Sequence, residues 1–432
     1  MQLLLKLMPM EIIKHQIMRC LFSILLLSIV FNACKKSELD SLPDFKILKV
    51  YDDTLANADN NSVNIVAGHG RLFMTYGTAA TAGSSYMRAN AKSMVMATDN
   101  EGNFLWKAKI PDGMEECTLV ALDDGGCMVS TQYTFSSNPN YSNSNLYFFR
   151  YDKDGNMIQV DSVNFVPALT SYMQLYFIGA CKKGNGNFIF YGDVSIQDGS
   201  CNGSEGWALE YSLSTGLVWL KTYFYAEPGF NCHTIALSGC VPTADNGFLF
   251  SGSMIYLSST FDQQFAYPYL VKTNSTGDTL WTKRFAGVPG IWPRNIVQAP
   301  NGNYRFCFNS DVMYIYEINA QGDSVNSVKV NNEKNNVGSM IIPTNDGGCF
   351  SPVTEAWWNS ISYVLQPNFI KTNSRKVFFD SHLNKISDTR FQTMSTDLIT
   401  QACMTSDGNI ACFGLSQPIG KTYYLPQVFI LN

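Results

Sequence analysis

The sequence predicts an all-β fold, a seven-bladed β-propeller of four-stranded antiparallel blades. Three observations predict it. A Gly-centred turn followed by an apolar, β-rich run recurs seven times, and a second hairpin follows it in six of those repeats. The carboxyl terminus then stops one strand short of a complete seventh repeat, and an unassigned strand lies at the other end of the chain.

The first element reads GHGRLFMTYG, DGGCMVST, NGNFIFYGD, DNGFLFSGS, NGNYRFCFN, DGGCFSPV and DGNIACFGL, its runs starting at Arg71, Cys127, Phe188, Phe248, Tyr304, Cys349 and Ile410. The intervals between those starts range from 45 to 61 residues, the scale of one supersecondary unit. The second element occupies 94–110, 147–163, 208–224, 269–285, 314–330 and 377–391, each an apolar strand, a polar turn and another strand. Five of these turns end in Gly, and in the sixth Asn384 is expected to take the positive-φ position in its place. Alternation after the first such turn puts Phe104, Trp106, Ala108 and Ile110 on one face and Leu105, Lys107 and Lys109 on the other. Two hairpins make one four-stranded sheet. Apolar faces on both sides of such a sheet need neighbours, and radial stacking of seven sheets supplies them. Closure follows from the termini: Phe45–Val50 should pair with Val428–Leu431, so that the last blade is shared between the two chain ends and leaves no open edge.

Residues 1–33 are set apart as an address. Lys14 and Arg19 precede the apolar run Leu21–Phe31, which is too short for a permanent membrane span, and Asn32-Ala33-Cys34 follows it. The run and the Asn-Ala-Cys-Lys-Lys ending, with Phe31 three positions before the cysteine, resemble the signal of a Bacteroidota lipoprotein. That resemblance implies a diacylglyceryl thioether on Cys34, a palmitate-type acylated anchor in the outer membrane, and a tether over 34–43 leading into a propeller over 44–432. It leaves open whether the protein faces the periplasm or the medium.

Composition excludes other classes. Charged residues make up 15% of the chain, and 30 Lys plus Arg against 35 Asp plus Glu give a net charge of −5, with no basic stripe for nucleic acid. The cysteines match no zinc or disulfide framework; most lie in apolar strand contexts and read as small buried hydrophobes. Cys201 and Cys232 stand in polar sequence and form a possible disulfide, and Cys403 should face Cys412 across one hairpin. No cofactor or metal site is read from the residues. Asp152 and Asp154 lack the spacing of a calcium loop and are assigned to a turn.

The stretch Thr98, Asp99, Gly102, Trp106, echoed at Gly277–Trp281, resembles the tryptophan-docking repeat of pyrroloquinoline-quinone-like propellers, and more closely the secreted propeller lipoproteins of Bacteroidota. The resemblance implies the blade architecture and no particular activity.

The long, variable connections between hairpins share one side of such a fold, and the short Gly turns share the other. The elaborated side is where binding is expected. The candidate ligand-binding residues are Trp292, Trp357, Trp358, Tyr141, Phe261 and Phe265, aromatic platforms among amide-rich loops suited to sugar rings or peptide segments. A short connection at Asn309–Asp311 should leave a notch between Trp292 and the Trp357–Trp358 pair. His69, His233 and His382 belong to no catalytic motif, so no catalytic residue is assigned, while Asp198, Glu205, Glu227 and Asp262 are loop carboxylates for which an acid/base pairing stays open. The expected function is non-enzymatic binding of a glycan or an envelope protein, with membrane attachment through the lipid alone. A polysaccharide hydrolase or lyase, and a structural subunit of an envelope complex, are the alternatives.

Overall fold

The computed structural model describes residues 45–51, 64–78, 92–111, 114–133, 145–165, 173–198, 201–224, 232–257, 264–285, 295–309, 313–330, 336–337, 340–356, 372–391, 396–417 and 425–431. The described residues form strands and no helix, and so contain no helix long and apolar enough to cross a membrane.

The strands group into four-stranded antiparallel modules that follow the chain. After β1 (Phe45–Val50), module 1 holds β2 (Asn64–Gly68), β3 (Arg71–Thr78), β4 (Lys92–Asp99) and β5 (Phe104–Lys109). Module 2 holds β6 (Met114–Ala121), β7 (Cys127–Tyr133), β8 (Asn145–Tyr151) and β9 (Met157–Asn164). Module 3 holds β10 (Met173–Lys182), β11 (Phe188–Asp198), β12 (Cys201–Ser212) and β13 (Gly216–Tyr223). Module 4 holds β14 (Cys232–Pro242), β15 (Phe248–Leu257), β16 (Gln264–Thr273) and β17 (Thr279–Arg284), and one parallel bridge, Ser204 to Thr234, joins it to module 3. Module 5 holds β18 (Ile296–Gln298), β19 (Tyr304–Asn309), β20 (Met313–Ile318) and β21 (Ser324–Val330). In module 6 two short pieces, β22 (Asn336–Val337) and β23 (Ile342–Pro343), both pair with β24 (Cys349–Ala356), followed by β25 (Thr372–Phe379) and β26 (Lys385–Phe391). Module 7 is β27 (Thr396–Met404), β28 (Ile410–Gln417) and β29 (Leu425–Leu431), with β1 as its outer strand. The expected pairing of the chain ends is present: Lys49 lies opposite Val428, Leu48 opposite Phe429 and Ile47 opposite Ile430.

One turn geometry builds both hairpins of nearly every module. In the turn after β6, the Leu122 N–H donates to the Gly126 carbonyl at 3.0 Å and the Gly125 N–H to the Leu122 carbonyl at 3.2 Å, with Gly125 at φ 83°. This is a type I turn closed by a left-handed residue. In the second hairpins an Asp or Asn opens the turn and caps it: Asp99 Oδ1 accepts from the N–H groups of Glu101 and Asn103, Asp152 from Asp154 and Asn156, and Asn274 from Thr276 and Asp278. The same bonds place Asp152 in a turn, as expected, and no cluster of metal-ligating side chains occurs among the described residues.

Three expectations need correction. Counting from the capping Asp380, the left-handed position of the sixth second-hairpin turn falls on Leu383 (φ 63°), not on Asn384. Asn384 instead returns its amide to Asp380 Oδ2 at 2.9 Å, and the 3%-exposed Leu383 offsets its backbone strain by burial. Phe104 does not share the buried face of Trp106: Thr98 pairs with Phe104 but Ala97 with Trp106, so Leu105 is an extra, bulged residue that breaks the alternation. Phe104 is exposed and Trp106 buried. The same bulge recurs in modules 2 to 6, at Ile158, Val218, Leu280, Val325 and Ile386. Finally, Cys412 pairs with Ala402 and Cys403 with Ala411, so the two cysteines are one register step apart and point to opposite faces.

The core lies between modules. The first strands touch in order: β2 with β6, β6 with β10, β10 with β14, β14 with β18, β18 with β23, β23 with β27, and β27 with β2. Each buried apolar cluster is shared by two successive modules, such as Phe148, Phe177 and Trp207 between modules 2 and 3. Another, containing Ile65, Met74, Phe413 and Val428, joins module 7 to module 1.

Candidate functional site

Strand direction separates two ends of the modules: the side of the short turns and the side of the long connections. On the turn side, buried carboxyl groups meet cations and amides, although Asn100 Oδ1 and Arg150 Nε have no hydrogen-bond partner among the described residues. In modules 2 and 4 the turn carries an Asp that pairs with a cation on the third strand, Asp124 with Arg150 at 2.6 Å and Asp245 with Lys272 at 2.7 Å. In modules 3 and 5 the turn is Asn-Gly-Asn and the third strand carries an acid. Glu210 accepts from Lys183, Asn187 and Trp219, and Glu317 accepts from Asn301, Asn303 and Arg305. Burial works against ionisation of Glu210 and Glu317, yet these donors hold both carboxyls below the usual range. Burial likewise opposes charge on Asp245, but Lys272 and Thr243 bring it down to about 2.

Successive modules also dock here. Trp106 stands on the Gly155 turn and donates Nε1–H to the Lys153 carbonyl at 2.9 Å. Trp219 covers Gly277 and Trp281 covers Gly322, where a Cβ would fall within 3 Å of the indole. Tyr51 donates to the Gly102 carbonyl at 2.8 Å, and Asn326 to that of His382 at 2.8 Å. Cations close the grooves between several modules. Arg71 donates to the Lys153 carbonyl, Lys183 reaches Ser275, and Arg305 reaches Gly347 and Ser381. Between modules 4 and 5, Thr243 occupies the turn position of Lys183 and is too short to span. A cavity of about 360 Å³ remains there, lined by Trp281, Tyr304, Gln321 and the Lys272–Asp245 pair. Its floor is already saturated, for Lys272 Nζ donates to both Asp245 oxygens and to the Thr273 carbonyl.

The other side differs. The strands of modules 3 and 4 run to 10–12 residues in β10, β12, β15 and β16, against 6–8 in modules 1 and 2 apart from β2. The second strands of modules 2, 3 and 4 carry polar residues at one register position, the sixth residue: Gln132, Asp193 and Ser253. Gln132 is fully buried, and neither of its amide atoms meets a hydrogen-bond partner among the described residues; the Ser253 hydroxyl is in the same condition. Asp193 lies on the β11 face that carries Ile189 and Tyr191 onto β14. Burial pushes its carboxyl up to about 7. Glu205, on the opposite face of module 3, is also raised by burial, partly countered by Thr222. These two are the carboxyls with raised values among the described residues, whereas the depressed ones lie in or beside the short turns.

Of the residues chosen from sequence, Trp292, Trp357, Trp358, Tyr141 and Phe261 lie outside the described residues, as do Cys34, Glu227 and Asp262. Phe265 pairs through its backbone with Tyr256 on β15, and its side chain lies outside the described set. Cys201 and Cys232 begin the two strands joined by the Ser204–Thr234 bridge; their side chains, like that of Asp198, also lie outside. The short connection expected at Asn309–Asp311 is there, with Asn309 paired to Met313. His69 stands in a turn with Nε2 at 3.7 Å from Asp123, and the His382 N–H donates to Asp380 Oδ1. Sequence reasoning missed Asp193 and Gln132, which the strand pattern hides inside apolar runs.

No protein-family model matches the chain, and no curated protein does. Solved structures do resemble it. A polysaccharide lyase of family PL25, an ulvan lyase bound to an oligosaccharide, matches with a TM-score of 0.50 at 10% identity, over 89% of this chain and 96% of the lyase. A protein of unknown function from Dyadobacter fermentans matches with a TM-score of 0.47 at 9% identity, over 90% of this chain and 98% of that one. A further protein of unknown function, from Bacteroides caccae, matches with a TM-score of 0.38 at 12% identity, over 69% and 89%. At these identities the likeness is one of fold.

Proposed function

We propose that the chain is a seven-bladed β-propeller, lipid-anchored through Cys34 in the outer membrane, that binds a glycan on the side of its long connections. The ring is supported by first strands that touch in sequence and by an apolar cluster joining module 7 to module 1. The binding reading rests above all on the row Gln132, Asp193 and Ser253. Buried polar groups are nearly always paired, so the Gln132 amide and the Ser253 hydroxyl, which lack partners among the described residues, point to water or a polyhydroxylic ligand as the partner, beside the raised carboxyl of Asp193. The aromatic residues Trp292, Trp357, Trp358, Tyr141, Phe261 and Phe265 would add the stacking faces that sugar rings take.

A second reading, cleavage of a polysaccharide, is favoured by one observation. A carboxyl held near 7 at Asp193 is matched to proton transfer at neutral pH, and the fold likeness to a polysaccharide lyase agrees with it. A panel of neutral, uronate-containing and sulfated polysaccharides separates the two readings. Binding would be followed by calorimetry, and cleavage by new reducing ends and by absorbance of unsaturated product. Binding without cleavage, and reduced by Asp193→Asn, supports the first reading. Cleavage abolished by Asp193→Asn with binding retained supports the second, and neither binding nor cleavage across the panel removes both.

A further inference from the structure

Module 3 meets module 4 along their first strands, where β10 carries Cys181 and β14 carries Cys240. The two Sγ atoms lie 3.0 Å apart. The thiols belong to one apolar cluster with Ile189, Tyr191, Leu237 and Phe250, Cys240 at 9% exposure and Cys181 half-buried beside it. Beside them, Gly179 has no side chain and leaves its place to the Tyr191 hydroxyl; a Cβ there would stand 2.3 Å from that oxygen. Two sulfurs held face to face by rigid inner strands need little more than a χ1 adjustment to reach bonding distance.

We propose that Cys181 and Cys240 are joined in a disulfide that clamps module 3 to module 4. The bond closes a loop that contains β11, β12 and β13, and it adds to the bridge between Ser204 and Thr234. Two S–H bonds and the S–S bond of an external disulfide break, the Cys181–Cys240 S–S bond forms, and the two electrons and two protons pass to the external sulfurs, which leave as two thiols. Burial pushes the Cys240 thiol above its ordinary value, so in the folded protein it is not a ready nucleophile. Exchange therefore begins at the more exposed Cys181, or during folding before the modules close. The clamp differs from the Cys201–Cys232 pairing expected from polar sequence context, and it links residues one repeat apart that each look like ordinary apolar strand positions.

The test uses the full chain, equilibrated with a glutathione/glutathione-disulfide buffer, then unfolded with an alkylating reagent and digested without reductant. The expected result is a linked peptide pair containing Cys181 and Cys240, lost on reduction, with neither thiol alkylated before it. Thermal unfolding should fall by several degrees on adding reductant, and the double variant Cys181→Ala/Cys240→Ala should lose that reductant-dependent drop. Each single variant, Cys181→Ser or Cys240→Ser, should free one newly alkylatable thiol. Full alkylation of both cysteines in the oxidised protein would overturn the proposal, as would either of them linked to a different cysteine.

Discussion

The two ends of the modules are built from the same strands, yet they treat polar groups in opposite ways. On the turn side each carboxyl near a third strand has its cation or amides, the turns cap themselves through Asp or Asn, and Trp106, Trp219 and Trp281 seat one module on the next. On the long-connection side Gln132 and Ser253 are buried without described partners, and burial pushes the Asp193 carboxyl up to about 7. A saturated network stabilises and has nothing left to offer a ligand; an unsaturated one weakens the fold and persists where it serves binding or chemistry. On the proposed reading, stabilisation and binding occupy opposite ends of one scaffold. Even the turn-side cavity obeys this division, since its lysine and carboxylate are spent on each other.

The largest effect that would sharpen this contrast is at the turn side. Arg305→Ala leaves Glu317 buried without its cation and removes the bonds to Gly347 and Ser381 in module 6. Breaking a buried pair from one partner costs about 3–5 kcal/mol, to be read from urea unfolding, with ligand affinity of the folded protein unchanged. Lost affinity without lost stability would break the division.

Asp193 gives an effect of similar size but dependent on pH. Its folded value is raised to about 7 from an ordinary 3.8, so the folded state holds a proton that the unfolded chain has released. The favourable contribution is whole below pH 4 and declines as pH rises through 7, by up to about 4 kcal/mol. Asp193→Asn should remove that slope and leave the variant relatively more stable at pH 8 in thermal unfolding. Parallel pH profiles for the two proteins would show the carboxyl to be ordinary.

Smallest is Lys283→Ala, which removes a partly exposed pair with Asp323. Exposed pairs of this kind are screened by water and salt and contribute little, so denaturant midpoints should barely move. A loss of several kcal/mol would mean that docking at the turns relies on surface charge more than on the indoles.

Much of the scaffold was legible in the sequence because turn chemistry is local. Gly125, Gly155 and Gly277 mark their turns by positive φ, and the pairing of 45–50 with the carboxyl end follows from counting strands. Leu383 was missed because its position is set by the distance from the capping Asp380, which outweighs the residue type. The outer-strand bulges were missed because an inserted aliphatic such as Leu105 or Ile158 reads as one more apolar residue while reversing every side chain beyond it. The ion-pair code was present but unread: Asp turns accompany Arg150 and Lys272, Asn turns accompany Glu210 and Glu317. Asp193 and the approach of Cys181 to Cys240 depend on contacts between modules, which no local pattern carries.

The division of labour is tested most directly by comparing two tryptophan sets against one bound polysaccharide in calorimetry. Trp281 walls the turn-side cavity, and Trp292 and Trp358 belong to the long connections. The account expects Trp281→Ala to bind as the parent does, while Trp292→Ala or Trp358→Ala weakens binding by about tenfold or more, the scale of one stacking anchor. Binding lost in Trp281→Ala and kept in the other two would contradict it.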